Sequence, residues 1–207
     1  MYNYMSKFIY SFLILFISCS VWAQPEDQQK KLEERKAQIQ KEFPEYFQLL
    51  QPKAPTPTEI AKQLAPKDVF VSIIPMDDET YIFGITHDGK ARLHRSKLNK
   101  QQIAQLVKTI RTTLDVADLG PKAPRFKFEE SHRLYQQLLS PIEDLLNGKE
   151  HLIVATSGEL GQLPFAVLVK QAWNKNDHAQ APWLIRDMAV SHVSSPNAWT
   201  ALKQLGQ

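Results

Sequence analysis

Cysteine is almost missing from this chain: its 207 residues hold one, at position 19. A disulfide framework and any multi-cysteine zinc or iron–sulfur site are thereby excluded. Glycine is scarce, at 7 residues. Gly158 and Gly161 lack the third glycine and the following Lys-Ser/Thr of a phosphate loop. A serine-hydrolase elbow is absent too, because Ser157-Gly158-Glu159-Leu160-Gly161 sets its glycines on the wrong side of the serine. The histidines (His87, His94, His132, His151, His178 and His192) include no pair at the His-x-x-x-His spacing of a helical metal site. Neither sign of charge dominates. The formal charge is +3 and no basic stripe interleaved with aromatics is present, so nucleic acid is not implied as a partner. With 43% hydrophobic and 23% charged residues the chain is near the globular average, which excludes a wholly disordered or low-complexity protein.

One long apolar run is present, from Phe8 to Ser20, preceded by the lone cation Lys7 and followed by Val21-Trp22-Ala23. Residues 1–23 therefore read as a secretory signal cut after Ala23. The run is shorter than the ~20 apolar residues of a spanning helix. An uncleaved anchor and lipidation of Cys19, through a loose lipobox in which Phe16 stands where Leu is wanted, are the alternatives. Cleavage removes the only cysteine and leaves a thiol-free chain suited to an oxidising compartment, periplasmic or secreted, with no membrane attachment.

Residues 24–52 form a polar helical segment. Gln24 to Glu42 carries only Leu32 and Ile39 as large aliphatics, with Glu26–Lys30 and Glu34–Gln38 at i,i+4. A solvated linker helix is favoured over a partner-binding one, and Phe43, Tyr46, Phe47, Leu49 and Leu50 form a patch expected to dock on the body. Pro52, Pro55 and Pro57 interrupt the helix. Residues 53–207 then alternate strands and helices. Thr56-Pro57-Thr58-Glu59 reads as a capped helix start running to about Leu64. Strands are predicted at Asp68–Ile74, Thr80–Thr86 and Ala91–Arg95, the last two joined by the hairpin signal Asp88-Gly89. Asn99 caps a helix to about Ala117 bearing Ile103, Leu106, Val107, Ile110 and Leu114 at helical spacing. A second helix runs from about Glu129 to Asn147, interrupted at Pro141 and stopped by Gly148. His151–Thr156 has the look of a central parallel strand, Met188–Val193 of another strand, and Ser195-Pro196 opens a last helix toward Leu205. The class is α/β with a mixed sheet.

No self-contained active site is visible, and no catalytic, cofactor-binding or metal-ligating residue is assigned. A cysteine nucleophile can only be Cys19, inside the signal. His151 and His192 read as structural. Asp77-Asp78-Glu79 and Glu129-Glu130 read as solvated turn and helix-start residues.

Leu134-Tyr135-Gln136-Gln137-Leu138-Leu139-Ser140-Pro141-Ile142-Glu143, then Leu152-Ile153-Val154, then Gly158 to Leu168, and Trp183 to Pro196 together resemble the CHAT domain. That domain is a caspase-like module often found after tetratricopeptide repeats. The resemblance extends over residues 43–205 and is densest over 134–168. It implies an incomplete caspase-like mixed sheet flanked by helices, with an N-terminal β-hairpin region and the polar leading helix ahead of it. In the family the catalytic His and Cys follow on later strands, beyond the segment matched here, so no catalytic residue carries over. The expectation is an exported, truncated or non-catalytic relative of caspase-like cysteine peptidases. Its alternative is a binding or scaffold module that pairs with a protein partner, or with itself, through an open sheet edge. A hydrolase using Ser157 and Glu159 is a third reading.

Overall fold

The computed structural model describes residues 25–43, 54–114, 125–175 and 177–205. The apolar run 8–20, Cys19 and residues 46–50 of the expected docking patch lie outside them. The chain divides into two units, at Lys53 and Ala54.

In the first unit, α1 (Pro25–Glu42) is the polar helix expected. The Glu26 side chain of the expected Glu26–Lys30 pair lies outside the described residues; Lys36 meets Glu33 at 2.9 Å, and Gln38 donates to Glu42, four residues on, at 2.9 Å. Leu32 is 49% and Phe43 60% exposed, so this surface is held by local pairs rather than by a core of its own. Among the described residues no helix is long and apolar enough to cross a membrane.

The second unit is built on one five-stranded mixed sheet with the order β3-β2-β1-β4-β5. Its strands are β1 (Asp68–Pro75), β2 (Thr80–Thr86), β3 (Ala91–Ser96), β4 (His151–Thr156) and β5 (Ala189–Val193). β1 pairs antiparallel with β2, and β2 with β3, while β4 runs parallel to both β1 and β5. This agrees with the expected α/β class and is consistent with an incomplete caspase-like sheet. Gly89, at φ +80°, makes the tight turn between β2 and β3 that the Asp-Gly pair announced.

Alternation along β1 divides the core. Val69, Val71 and Ile73 point to one face, joined by Ile82, Leu152 and Val154. Phe70 points to the other with Ile85, Ile153 and Ala155. The first face is covered by α3 (Lys100–Arg111), α4 (Phe128–Leu138) and α5 (Glu143–Leu146). The second is covered by α2 (Pro57–Ala61), through Ile60 and Ala61, and by α6 (Pro196–Leu205), whose Trp199 ring sits 5.2 Å from that of Phe70. A strand covered on both sides reads as an unbroken apolar run, as β1 does.

Helix starts follow local chemistry closely. Thr56 Oγ1 accepts from the Glu59 N–H at 3.2 Å while Glu59 Oε2 accepts from the Thr56 N–H at 2.7 Å. Asn99 and Gln102 exchange the same reciprocal pair. Helix ends differ from expectation. α2 stops at Ala61 rather than Leu64, because the next amides close i→i+3 bonds: Gln63 N–H to the Ile60 carbonyl and Leu64 N–H to the Ala61 carbonyl. α3 stops at Arg111 rather than Ala117. The Thr112 and Thr113 hydroxyls take the Thr109 and Ile110 carbonyls, each at 2.7 Å, which meets groups that further helix would have used. The helix expected over 129–147 is two helices joined by a 3₁₀ turn, Ser140–Ile142, since Pro141 has no N–H to continue the ladder. Its apolar face survives the break: Leu134, Leu138, Leu139 and Ile142 are all fully buried. Gly148, at φ +72°, ends the run.

After β4 the chain turns back through 3₁₀ segments at Gly158–Gln162 and Phe165–Val167, which return Phe165 and Leu168 to full burial. Ser131 of α4 fastens this return. Its hydroxyl, on a fully buried residue, donates to the Val167 carbonyl at 2.8 Å and accepts from the Val169 N–H at 3.0 Å. Replacing Ser131 by Ala strands both backbone groups in the interior. The expected loss is about 1–3 kcal/mol of unfolding free energy, read from urea denaturation. An unchanged midpoint would show that the two bonds contribute nothing.

Candidate functional site

Parallel pairing brings three polar residues together at the start of the sheet. Asp68 of β1 stands beside His151 of β4, and His151 beside Ala189 of β5. Ser191, two residues further along β5, emerges on the same face. His151 Nδ1 lies 3.3 Å from Asp68 Oδ1, and His151 Nε2 lies 2.8 Å from Ser191 Oγ. The second oxygen of Asp68 accepts from the Ala65 N–H at 2.9 Å, which holds the carboxylate in place. An imidazole protonated at Nδ1 serves both neighbours, facing Asp68 with its N–H and accepting the serine hydroxyl at Nε2. The order carboxylate–imidazole–hydroxyl is that of a nucleophilic relay. Its setting differs from one: Ser191 is exposed on an edge strand, and the larger cavities of the unit are lined by other residues. What the chain of groups does directly is tie β1, β4 and β5 together where they begin.

The outer edge of β5 is the second feature. The Ala189 N–H donates to the Glu150 carbonyl at 2.8 Å. In a parallel ladder this directs residues 189, 191 and 193 inward to β4, and the backbone groups of Val190 and His192 outward. Among the described residues nothing meets those outward groups. The Val190 side chain packs on the core. His192 Nε2 accepts from the Phe165 N–H at 3.2 Å, with the two rings edge to face at 5.5 Å. Burial holds the His192 imidazole below its ordinary pKa of 6.5.

The opposite edge, β3, is charged. Arg92 pairs with Asp144, and Arg95 Nη1 lies 3.4 Å from Glu79. Inherited charge of this kind blunts an edge against strand addition. Between Ala189 and Val193, by contrast, there is no Lys, Arg, Asp, Glu or Pro.

Ser157 and Glu159 line a cavity of about 200 Å³ beyond the ends of β1 and β4, with Pro75, Lys100, Ile103 and Leu160. No histidine lines it, and Glu159 accepts from the Gln162 side chain at 3.0 Å. Elsewhere, burial and the Glu143 carboxylate raise the Tyr135 hydroxyl above the usual phenol range. Tyr135 donates to Glu143 at 3.1 Å beside the Lys170–Asp187 ion pair, in a cavity of about 380 Å³. Of the other histidines, His87 meets the Leu64 carbonyl at 2.6 Å, His132 the Val169 carbonyl at 3.2 Å, and His178 stacks on Phe128. Among the described residues no group of three or more His, Cys, Asp or Glu could hold a metal ion. Sequence reading passed over Asp68 and Ser191, and no local signal marks them: their meeting depends on the register of two parallel pairings.

Residues 129–206 match the family model of the CHAT domain. The resemblance, expected from residue 43 onward, is thus matched over the C-terminal part of the chain. No curated protein matches the sequence. Among solved structures the apo ParM protein of pSK41 matches with 9% identity over 73% of this chain and a TM-score of 0.31. This chain spans 48% of that protein's length, and a likeness so slight bears on neither fold nor function.

The lowered His192 value carries a pH dependence. The folded state prefers the neutral ring, so its contribution is complete above the ordinary value and is lost as pH falls through the lowered folded value. The urea midpoint is expected to be lower at pH 5 than at pH 7.5, and His192→Gln to shrink that difference. An identical pH dependence in the variant counts against the assignment.

Proposed function

We propose that this protein is an exported, non-catalytic relative of caspase-like cysteine peptidases that acts by association rather than by cleavage. The observation that carries the reading is the outer edge of β5, uncharged and without a partner among the described residues, opposite a charged β3 edge. The position of the single cysteine supports it: Cys19 falls within the apolar run read as a signal, so the chain from Gln24 onward has no thiol. The purified protein is expected to leave a diverse peptide library uncut, with or without reductant. Cleavage that requires a thiol and is abolished by alkylation overturns the reading. On export, the protein from the periplasmic or secreted fraction is expected to begin at Gln24 by mass spectrometry. An intact Met1 or a lipid on Cys19 would replace that part of it.

A second reading rests on the Asp68–His151–Ser191 order. In it Ser191 Oγ attacks an electrophile and His151 Nε2 takes the hydroxyl proton. A fluorophosphonate probe distinguishes the two: the serine oxygen bonds to phosphorus as fluoride leaves. Labelling of the native protein but not of Ser191→Ala favours hydrolase chemistry; equal absence of labelling favours association.

A further inference from the structure

We infer that the Asn147-Gly148 turn is a site of spontaneous deamidation, at which the neutral side-chain amide of Asn147 gives way to a carboxylate. Two turns of the described chain set a side-chain carbonyl group before a glycine, Asp88-Gly89 and Asn147-Gly148. In each the glycine has no side chain to shield its backbone nitrogen, so attack of that nitrogen on the preceding side chain is sterically open. Hydrogen bonding separates the two. The Gly89 N–H donates to the Thr86 carbonyl at 3.0 Å, which keeps its nitrogen occupied. The Asp88 carboxylate lies 2.9 Å from Lys90 Nζ and accepts from the Thr86 hydroxyl at 2.5 Å. These two contacts hold it well below the usual carboxylate range, ionised and without a leaving group.

At Asn147-Gly148 those restraints are missing. Both residues are exposed. Among the described residues neither the Asn147 side-chain amide nor the Gly148 N–H has a hydrogen-bond partner. The space a Gly148 side chain would fill is empty. Asn147 (φ −60°, ψ 125°) and Gly148 (φ +72°) form the corner of a type II turn, closed by the Lys149 N–H on the Leu146 carbonyl at 3.0 Å. In that turn the Gly148 nitrogen points away from the Asn147 side chain, so the peptide plane between them has to rotate before reaction. Rotation of this plane exchanges type II for type I geometry and leaves the closing bond in place. Other asparagines are less free to react. The amide after Asn99, that of Lys100, donates to the Met76 carbonyl at 2.8 Å, and the amide after Asn197, that of Ala198, donates to Ser195 Oγ at 3.0 Å. Asn174 is followed by the long side chain of Lys175.

The Gly148 nitrogen gives its proton to water and bonds to Asn147 Cγ. The Cγ–Nδ2 bond breaks and ammonia leaves, which closes a five-membered imide. Water then opens the imide at one carbonyl or the other, giving an aspartyl or an isoaspartyl residue at 147. Either product adds a carboxylate to Glu143 and Asp187, against Lys149 and Lys170, around the cavity of about 380 Å³. The isoaspartyl form also lengthens the main chain by one carbon. It does so just before Lys149 and Glu150, whose N–H groups reach the Leu146 and Lys67 carbonyls and set where β4 begins.

The test holds the native full chain at mildly alkaline pH and follows it by peptide mapping, with enzymatic methylation of isoaspartyl groups as a second readout. The peptide carrying Asn147 is expected to exchange amide nitrogen for oxygen several-fold faster than those carrying Asn99, Asn174 or Asn197. Asp88-Gly89 is expected to stay unmodified in the native protein and to gain isoaspartate in urea. Asn147→Gln keeps an amide but needs a six-membered ring, and is expected to abolish methylation at this position. Aged native protein is expected to unfold at a lower urea concentration than fresh protein, and aged Asn147→Gln is not. Reaction at Asn147 no faster than at Asn99 overturns the inference. Isoaspartate at Asp88-Gly89 as fast as at Asn147 in the native protein overturns it too, because the dipeptides alone would then set the rate.

Discussion

β1 has to satisfy two neighbours at once. Its backbone completes an antiparallel ladder with β2 on one side and a parallel ladder with β4 on the other, and Val69, Phe70 and Val71 have no exposed surface. A strand so enclosed has no access to water for its polar groups, so both ladders are obligatory. Everything else in the second unit is arranged around that requirement. The odd residues of β1 anchor the face under α3, α4 and α5, while Phe70 anchors the face under α2 and Trp199. The first residue of β1, Asp68, then fixes where His151 and Ser191 meet it.

This dependence changes the meaning of the match over residues 129–206. Within that span lie β4 and β5 but not β1, so the matched segment holds two strands of a five-stranded sheet. The inner ladder of β4 is supplied from outside it, by β1. Ser131 contributes the complementary tie from within, binding α4 to the segment after β4. The sheet therefore crosses the start of the matched segment. Residues from Ala54 onward belong to the same compact unit as that segment.

What could be read from sequence was what local chemistry decides. The Thr56–Glu59 box, the Asn99 cap, the Asp88-Gly89 turn and the Pro141 break are each decided by residues within a few positions of one another, and each stands where it was expected. The ends of α2 and α3 were missed because competing local bonds, i→i+3 amides after Ala61 and threonine hydroxyls after Arg111, have no signature in hydrophobic periodicity. The polar contacts at the sheet were missed for a different reason. Asp68, His151 and Ser191 are distant in the chain, and one residue of slip in either parallel pairing would turn a member of the set to the opposite face. His192 was read as structural, yet its acceptor role toward the Phe165 amide follows from a 3₁₀ return that composition alone does not locate. The α/β class, by contrast, needed only the alternation of elements.

The unequal edges of the sheet bear on solubility and stoichiometry. A sheet with two receptive edges is a monomer unit for a ribbon, and each addition exposes a fresh site identical to the last. Here Arg92 and Arg95 close one side. A unit receptive on a single side would not propagate as a ribbon. The charge of β3 thus weighs against strand addition at the side of the sheet far from β5.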